Sequence, residues 1–419
     1  MTLNVSRRSL LALGAGLGAS AMLGGSALAR APKLGTQTPY WHRFVLGDAE
    51  VTVVSDGPLP LGDPSGTFTG VPKEEVKKML SDNFLSPDNV VLEQNSPIVN
   101  TGDKLILFDT GMGTSKAFGP TTGRQQKSMQ EAGIKPEDID AVVLKVEIAG
   151  IRLLEARDDA WIVEAGAGVV WHDLVCWTLD QGYPGLENMA LIPGTVGAAP
   201  VQNIGAYGIE LKDRLEAVEV MDLVTGRPAL LPAQVCRFGY RDSVFKHGDF
   251  GGLAGKSVIT KVRLRLPRPW RPVLGYLEIE RKMAETGIAA PDARQIFDWI
   301  CAVRRAKLPD PAVIGNAGSF FKNPVVTAEQ CKDIIGRDPG IVHYPMPDGS
   351  VKLAAGWMID ACGWKGKAVG GAAVYEKQAL VLVNKADARG AEVVTLARAI
   401  QESVYGRFGI RLEPEPVVV

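Results

Sequence analysis

Histidine is scarce in this sequence. Its 419 residues include four, His42, His172, His247 and His343, and no two lie within five positions of each other. No i,i+2 or i,i+4 chelating pair exists, so a zinc centre built on such a pair is excluded. Cysteine is nearly as rare. Cys176, Cys236, Cys301, Cys331 and Cys362 contain no C-x-x-C pair, and all follow residue 150. This spacing argues against a disulfide scaffold and predicts buried free thiols. Basic surplus is absent too: 46 Lys and Arg face 47 Asp and Glu, for a net charge of −1. A general nucleic-acid binder would carry an excess of positive charge. No apolar run is suited to a stable membrane span, and there is no internal repeat or low-complexity tract.

What is present suggests a globular chain of two or three domains, with 46% hydrophobic and 22% charged residues. The N-terminal "SRRSLLALGAGLGASAMLGGSALAR" pairs Arg7 with Arg8, continues through a Gly/Ala-rich apolar stretch and ends on Ala27-Leu28-Ala29. It has the layout of a cleaved twin-arginine export leader, placed over residues 1–30. That route carries folded proteins, so it is compatible with reduced cysteines.

From residue 41 the chain alternates strands and turns. "WHRFVLGDAEVTVVSDG" (41–57) predicts a hairpin about Gly47-Asp48. "SPIVNTGDKLILFDTGMG" (96–113) predicts a strand over 104–108 that ends on Asp109. "SMQEAGIKPEDIDAVVL" (128–144) predicts a helix end at Gly133, a short turn and a buried strand over 141–144. In this order the segments resemble the leading part of the metallo-β-lactamase fold, in exported hydrolases of the lactonase and organophosphate-hydrolase type. In that family the last strand runs into a His-x-His-x-Asp-His loop that holds zinc. Here it runs into "KVEIAG" (145–150), so no zinc is expected and no metal ligand is assigned. Asp109 matches a supporting position in that family, not a ligand.

Beyond residue 146 the character changes. A helix is predicted at about 170–181, with Trp171, Leu174, Val175 and Leu179 on its apolar face. "GTVGAAPVQNIGAYG" (194–208) follows, rich in small residues that permit close backbone approach to a large ligand. Two motifs are set aside. "GGLAGKS" (251–257) has three residues between its outer glycines where a phosphate loop needs four, and it precedes a predicted strand; "EAGAGVVW" (164–171) lacks the third glycine of a dinucleotide fingerprint.

Five further stretches carry a second resemblance. They are "CRFGYRDSVFK" (236–246), "KLPDPAVIGNAGSFFKNP" (307–324), "PDGSVKLAAGWMIDACG" (347–363), "GGAAVYEKQALVLVN" (370–384) and "RLEPE" (411–415). From about residue 146 to 415 the chain resembles the UDP-N-acetylenolpyruvoylglucosamine reductases. The resemblance implies FAD as cofactor, NADPH as cosubstrate and a UDP-sugar substrate, on a monomer acting in the cytoplasm. A twin-arginine leader would send the chain to the periplasm, which conflicts with that location.

Carried over by motif, Ser319 is the expected proton donor, Arg241 the partner of the substrate carboxylate, and Glu415 the acid completing that site. Tyr240, Tyr276, Lys307 and Asn323 are expected to bind substrate. Gly194, Gly197, Ala198, Asn203, Gly205 and Tyr207 are expected to line the cofactor. The family's first lobe, with its glycine-rich loop for the FAD diphosphate, has no match in residues 30–145.

The expected architecture is therefore a multi-domain mixture of α/β and α+β. A partial metallo-β-lactamase-like region over 31–145 precedes the remainder of an FAD-binding domain of the vanillyl-alcohol-oxidase (PCMH-like) type over 146–306. A reductase substrate domain occupies 307–419. The join at Lys145 makes the chain chimera-like, with activity impaired or lost for want of the first flavin lobe. A UDP-sugar-binding remnant is the alternative, and a zinc hydrolase the weakest reading.

Overall fold

The computed structural model describes residues 39–68, 70–113, 119–249 and 251–416. The leader expected at residues 1–30 lies outside them. The chain divides into two units, one ending at Lys145 and the other beginning at Val146.

In the first unit, strand β1 (Trp41–Leu46) pairs with β2 (Ala49–Gly62) across the two-residue turn at Gly47-Asp48, with Leu46 opposite Ala49. Helix α1 (Lys73–Asp82) precedes β3 (Val90–Asn100) and β4 (Leu105–Phe108); helix α2 (Gln125–Glu131) ends before Gly133, whose φ is +80°. The sheet order is β1-β2-β3-β4-β5, and only the last pair, β4 with β5 (Ala141–Val143), is parallel. The core is small: Val54, Ile98, Leu107, Met129, Ala132 and Ile134. Asp56 ties the loops together, because its buried carboxylate accepts from the backbone N–H groups of Met112, Gly123 and Gln125.

One expectation is corrected here. The strand over 141–144 is not buried: Val142, Val143 and Leu144 are 49%, 40% and 43% exposed. β5 is the edge of the sheet, so one side of its backbone pairs with β4 and, among the described residues, the other has no strand. Residues 139–166 thus hold three strands. β5 belongs to the first unit; β6 (Ile151–Ala156) and β7 (Ala160–Gly166) belong to the second.

The second unit opens with a five-stranded antiparallel sheet. It contains β6, β7, β8 (Leu215–Asp222), β9 (Pro228–Pro232) and β10 (Ser257–Pro267), in the order β9-β8-β10-β7-β6. Helix α3 (Trp171–Asp180) buries Trp171, Leu174 and Val175 at helical spacing, leaving Leu179 half-buried. Helix α4 (Leu277–Thr286) leads to α5 (Ala293–Lys307), which begins with an Asp292/Gln295 capping box and buries Ile296, Phe297, Ile300 and Cys301. The "GGLAGKS" stretch leads directly into β10, the strand expected to follow it.

A second core supports the C-terminal part. β11 (Asn316–Ser319), β15 (Ala368–Val369), β16 (Ala372–Val374) and β17 (Val381–Asn384) form a sheet of order β11-β17-β16-β15. β12 (Val325–Val326), β13 (His343–Pro345) and β14 (Val351–Leu353) form another, of order β12-β14-β13. Helices α6 (Ala328–Arg337), α7 (Ala355–Ala361) and α8 (Gly390–Phe408) join them; α8 buries Leu396, Ala397, Ile400, Val404 and Phe408 in a stripe and stops at Gly409, with φ +71°. No helix among the described residues is long and apolar enough to cross a membrane.

Candidate active site

The glycine-rich loop 194–208 and the "GYRD" turn are locked to each other. Buried Asn203, at φ +45°, donates through its side-chain amide to the carbonyl oxygen of Gly239 and to Glu210, and accepts from the N–H of Lys212. Ser243 donates to the Val201 carbonyl. Two glycines of the loop are small because the chain meets itself. A Cβ on Gly197 would lie 2.5 Å from that of Ala167, and one on Gly205 would lie 2.7 Å from the Ile209 carbonyl oxygen. Gly194, at φ +104°, faces open space and accepts from Trp171 N–H. Ala198 closes the tight turn that follows, donating to the Thr195 carbonyl.

On this base stands an ion pair. Arg241 Nε lies 3.2 Å from Glu415 Oε1, with both side chains 19% exposed, and Arg241 Nη2 donates to the Gly205 carbonyl at 3.0 Å. Glu415 arrives on the C-terminal segment. Its N–H donates to Phe320 O, and Phe321 bridges Pro414, so the end of β11, with Ser319, lies beside the C-terminal segment that carries Glu415. Burial raises the Glu415 carboxyl above the usual glutamate range even though Arg241, Lys246 and Lys322 pull it down. An acid with a raised folded pKa stabilises the fold most below its ordinary value and loses that contribution as pH rises through its folded value. The unfolding free energy of Glu415→Gln relative to wild type is therefore expected to rise with pH from the ordinary glutamate value upward, then level off. Denaturant titrations at several pH values check this, and a difference independent of pH would refute it.

Aromatic rings and cations surround the pair. The Tyr240 ring has Arg241 on one contact at 5.4 Å and Lys352 on another at 4.8 Å, and burial raises its hydroxyl above the usual tyrosine range. Asn323 Oδ1 accepts from Ala355 N–H at the start of α7. Tyr276 meets Tyr207 edge to face at 5.1 Å, and its hydroxyl is pushed up to about 12 by burial, with Glu278, Tyr344, Tyr207 and Tyr240 adding to the effect. Lys307 Nζ sits 2.6 Å from Glu278 Oε1, two residues beyond Tyr276.

The structure therefore gathers Arg241, Glu415 and Tyr240, with Tyr207 and Tyr276 in mutual contact. It places Ser319, Asn323 and Lys307 on adjoining segments.

Five further residues were not singled out from sequence. Lys352 and Tyr344 come from β14 and β13, where strand pairing opposes them. Lys246 closes the quoted "GYRDSVFK" stretch. Arg304 lies on α5 near Tyr207, where its charge acts on the Tyr207 hydroxyl, with its Nε buried and unpartnered beside a cavity of about 330 Å³ that Leu191, Arg305 and Leu308 help to line. Only the spacing of Arg304 one helical turn before Lys307 signalled it in advance. Asn188 donates to the Tyr207 carbonyl and leaves its own Oδ1 buried and unpartnered. The four histidines fall on separate elements, and among the described residues no group of three His, Cys, Asp or Glu could hold a metal ion. The five cysteines are free.

Comparison with known proteins agrees with this division of labour. The model for "FAD binding domain" matches residues 128–228, and that for "UDP-N-acetylenolpyruvoylglucosamine reductase, C-terminal domain" matches 310–419. The first match starts inside α2. Packing nevertheless separates the chain later, at Lys145, because Met129 belongs to the first unit's core. An FAD-binding domain followed by a reductase substrate domain defines a flavin-dependent oxidoreductase of mixed α/β architecture. The UDP-N-acetylenolpyruvoylglucosamine reductase of Burkholderia vietnamiensis is 58% identical over 283 residues, 67% of this chain and 80% of that protein. The chain belongs to the UDP-N-acetylenolpyruvoylglucosamine reductase family.

Solved structures were matched as well, two of them as follows. The reductase from Thermus caldophilus is 24% identical, with a TM-score of 0.44 over 74% of this chain and 91% of its own. A dizinc quorum-quenching lactonase is 31% identical, with a TM-score of 0.24 over 26% of this chain and 36% of its own.

Proposed function

We propose that the second unit reduces UDP-N-acetylenolpyruvoylglucosamine to UDP-N-acetylmuramate with NADPH, and that the first unit is the leading part of a metallo-β-lactamase-fold hydrolase joined at Lys145. The part-buried Arg241–Glu415 pair carries the first half of this reading. A fixed guanidinium is suited to hold the enolpyruvyl carboxylate and the negative charge that develops on it. Glu415, kept towards its neutral form by burial, is placed to donate a hydrogen bond to the same charge. Ser319, on the neighbouring strand, would deliver the proton to the carbon next to the carboxylate. Tyr240, Tyr276, Lys307 and Asn323 would hold the nucleotide-sugar around it.

FAD supplies the hydride for the methylene carbon when it is bound. The residues present fit part of that group. Arg304, with its Nε buried and unpartnered, lines a cavity of about 330 Å³, and a polar edge of the flavin ring would give that nitrogen an acceptor. Gly194, Gly197, Ala198, Asn203, Gly205 and Tyr207 would back it. The diphosphate half has no counterpart loop in residues 30–145, and one fifth of the Burkholderia relative lies outside the match. Flavin affinity and turnover are therefore expected to be impaired, and residues 31–145 to add no zinc chemistry.

The test is to purify the full chain, record its visible absorbance before and after adding FAD, then add NADPH and the enolpyruvyl substrate. Yellow protein that bleaches with NADPH and recolours with substrate is the expected result. Colourless protein that still binds the UDP-sugar would leave a binding remnant. Stoichiometric zinc with lactone hydrolysis would overturn the reading.

A further inference from the structure

Arg241 adopts φ +54°, a left-handed backbone that side chains with a Cβ seldom take. Such a conformation persists only where the surroundings over-determine it. Gly239 and Asp242 exchange backbone hydrogen bonds across the turn, at 3.0 and 3.3 Å. The carbonyl oxygen of Arg241 itself accepts from Lys246 Nζ at 3.2 Å, and the same ammonium donates to Gln202 Oε1 at 3.4 Å. Lys246 makes no carboxylate ion pair among the described residues, although Asp242 and Glu415 face it along with Lys322. A half-buried lysine that spends its donors on a main-chain carbonyl and an amide oxygen is serving the shape of the turn.

That shape decides where the guanidinium goes. With this backbone, the Arg241 fork reaches the Gly205 carbonyl and Glu415 together. Relaxing φ to a negative value would swing the Cβ vector, and both contacts could not be kept.

We propose that Lys246 is a positioning residue for the reductase reaction: by bridging Arg241 O and Gln202 Oε1 it holds Arg241 in the backbone conformation that aims its guanidinium at Glu415 and the substrate carboxylate. The proposal rests on the function given above, and its first test does not need turnover. In full-length protein labelled with ¹⁵N-arginine, the Nε–H signal of Arg241 is assigned by its loss in Arg241→Lys. Its hydrogen exchange is then compared in wild type, Lys246→Met and Lys246→Arg. Lys246→Met is expected to speed exchange at least tenfold, and Lys246→Arg to restore most of the protection.

In flavin-loaded protein, Lys246→Met is expected to lower kcat with the enolpyruvyl substrate about 30-fold, with a smaller effect on KM and no change in the rate of flavin bleaching by NADPH. If Lys246→Met does not fold, Gln202→Leu, which removes one of the two acceptors, is read by the same signal and is expected to show an intermediate loss. Unchanged exchange in a folded Lys246→Met protein, or in Gln202→Leu where Lys246→Met fails to fold, would overturn the proposal. Altered exchange in a protein without turnover would leave the positioning role standing and remove the functional reading instead.

Discussion

Arg241→Met is expected to lower kcat/KM for the enolpyruvyl substrate by about 10³-fold, in the range seen when one fixed donor to a developing oxyanion is removed. Methionine keeps much of the arginine's length and apolar body but none of its donors. The loss should therefore fall on the substrate step and spare flavin bleaching by NADPH. Two bonds vanish with the guanidinium, to Glu415 and to the Gly205 carbonyl. Glu415 is then buried without its nearest cation. It can escape by taking up a proton, since burial already pushes its carboxyl up. The stability cost is thus expected to be about 2 kcal/mol near neutral pH, below that of breaking a fully buried pair, and to shrink in acid. In the double variant Arg241→Met/Glu415→Gln the stability losses should be less than additive. Stopped-flow separation of the two half-reactions, together with denaturant titration, measures all three expectations. A variant that turns over at the wild-type rate would remove Arg241 from the proposed chemistry.

Gly168→Val is expected to unfold the start of the second unit. A Cβ on Gly168 would sit 2.5 Å from the backbone Cα and carbonyl carbon of Glu147; one on Gly166 would sit 2.2 Å from the Ile148 carbonyl oxygen. These neighbours are main chain and cannot rotate away. The same approach carries two hydrogen bonds, Gly168 N–H to Ile148 O and Gly166 N–H to Gly150 O, each 2.9 Å. Parting the segments loses both bonds and opens the packing near Val146 and Ile151. A loss of about 4 kcal/mol or more is expected, at the severe end for a single substitution. Calorimetry checks this through the transition assigned to residues 146–419. A transition that does not move in Gly168→Val would show that this close approach carries no weight. The effect also bears on the join, because the first residues after Lys145 are held by backbone contacts wholly inside the second unit.

Much of the local structure was legible because it depends on neighbours in the chain. Gly47-Asp48 makes a two-residue hairpin wherever two β-rich runs flank it. Trp171, Leu174 and Val175 share a helix face by spacing alone. The exposure of β5 was not legible. "AVVL" has the composition of a buried strand, and only its place at the sheet edge leaves it open to solvent. The purpose of Gly197 and Gly205 was hidden in the same way. Both can be read as room for a ligand, and the three-dimensional fold adds that a Cβ at either would also meet Ala167 or Ile209.

By itself the sequence determined the inventory. Four scattered histidines cannot form a chelating pair, and the motifs from "GYRDS" to "LEPE" mark a reductase family, because residue identity and short spacing are properties of the chain alone. The tertiary structure decided how the inventory is used. Arg241 and Glu415 are 174 positions apart and meet only because the C-terminal segment pairs with the chain beyond Ser319. The raised carboxyl of Glu415, the cations around Tyr240, the unpartnered nitrogen of Arg304 and the left-handed turn pinned by Lys246 all arise from burial and long-range contact. No local pattern encodes these, since each depends on what the fold brings from elsewhere and on how much water it leaves behind.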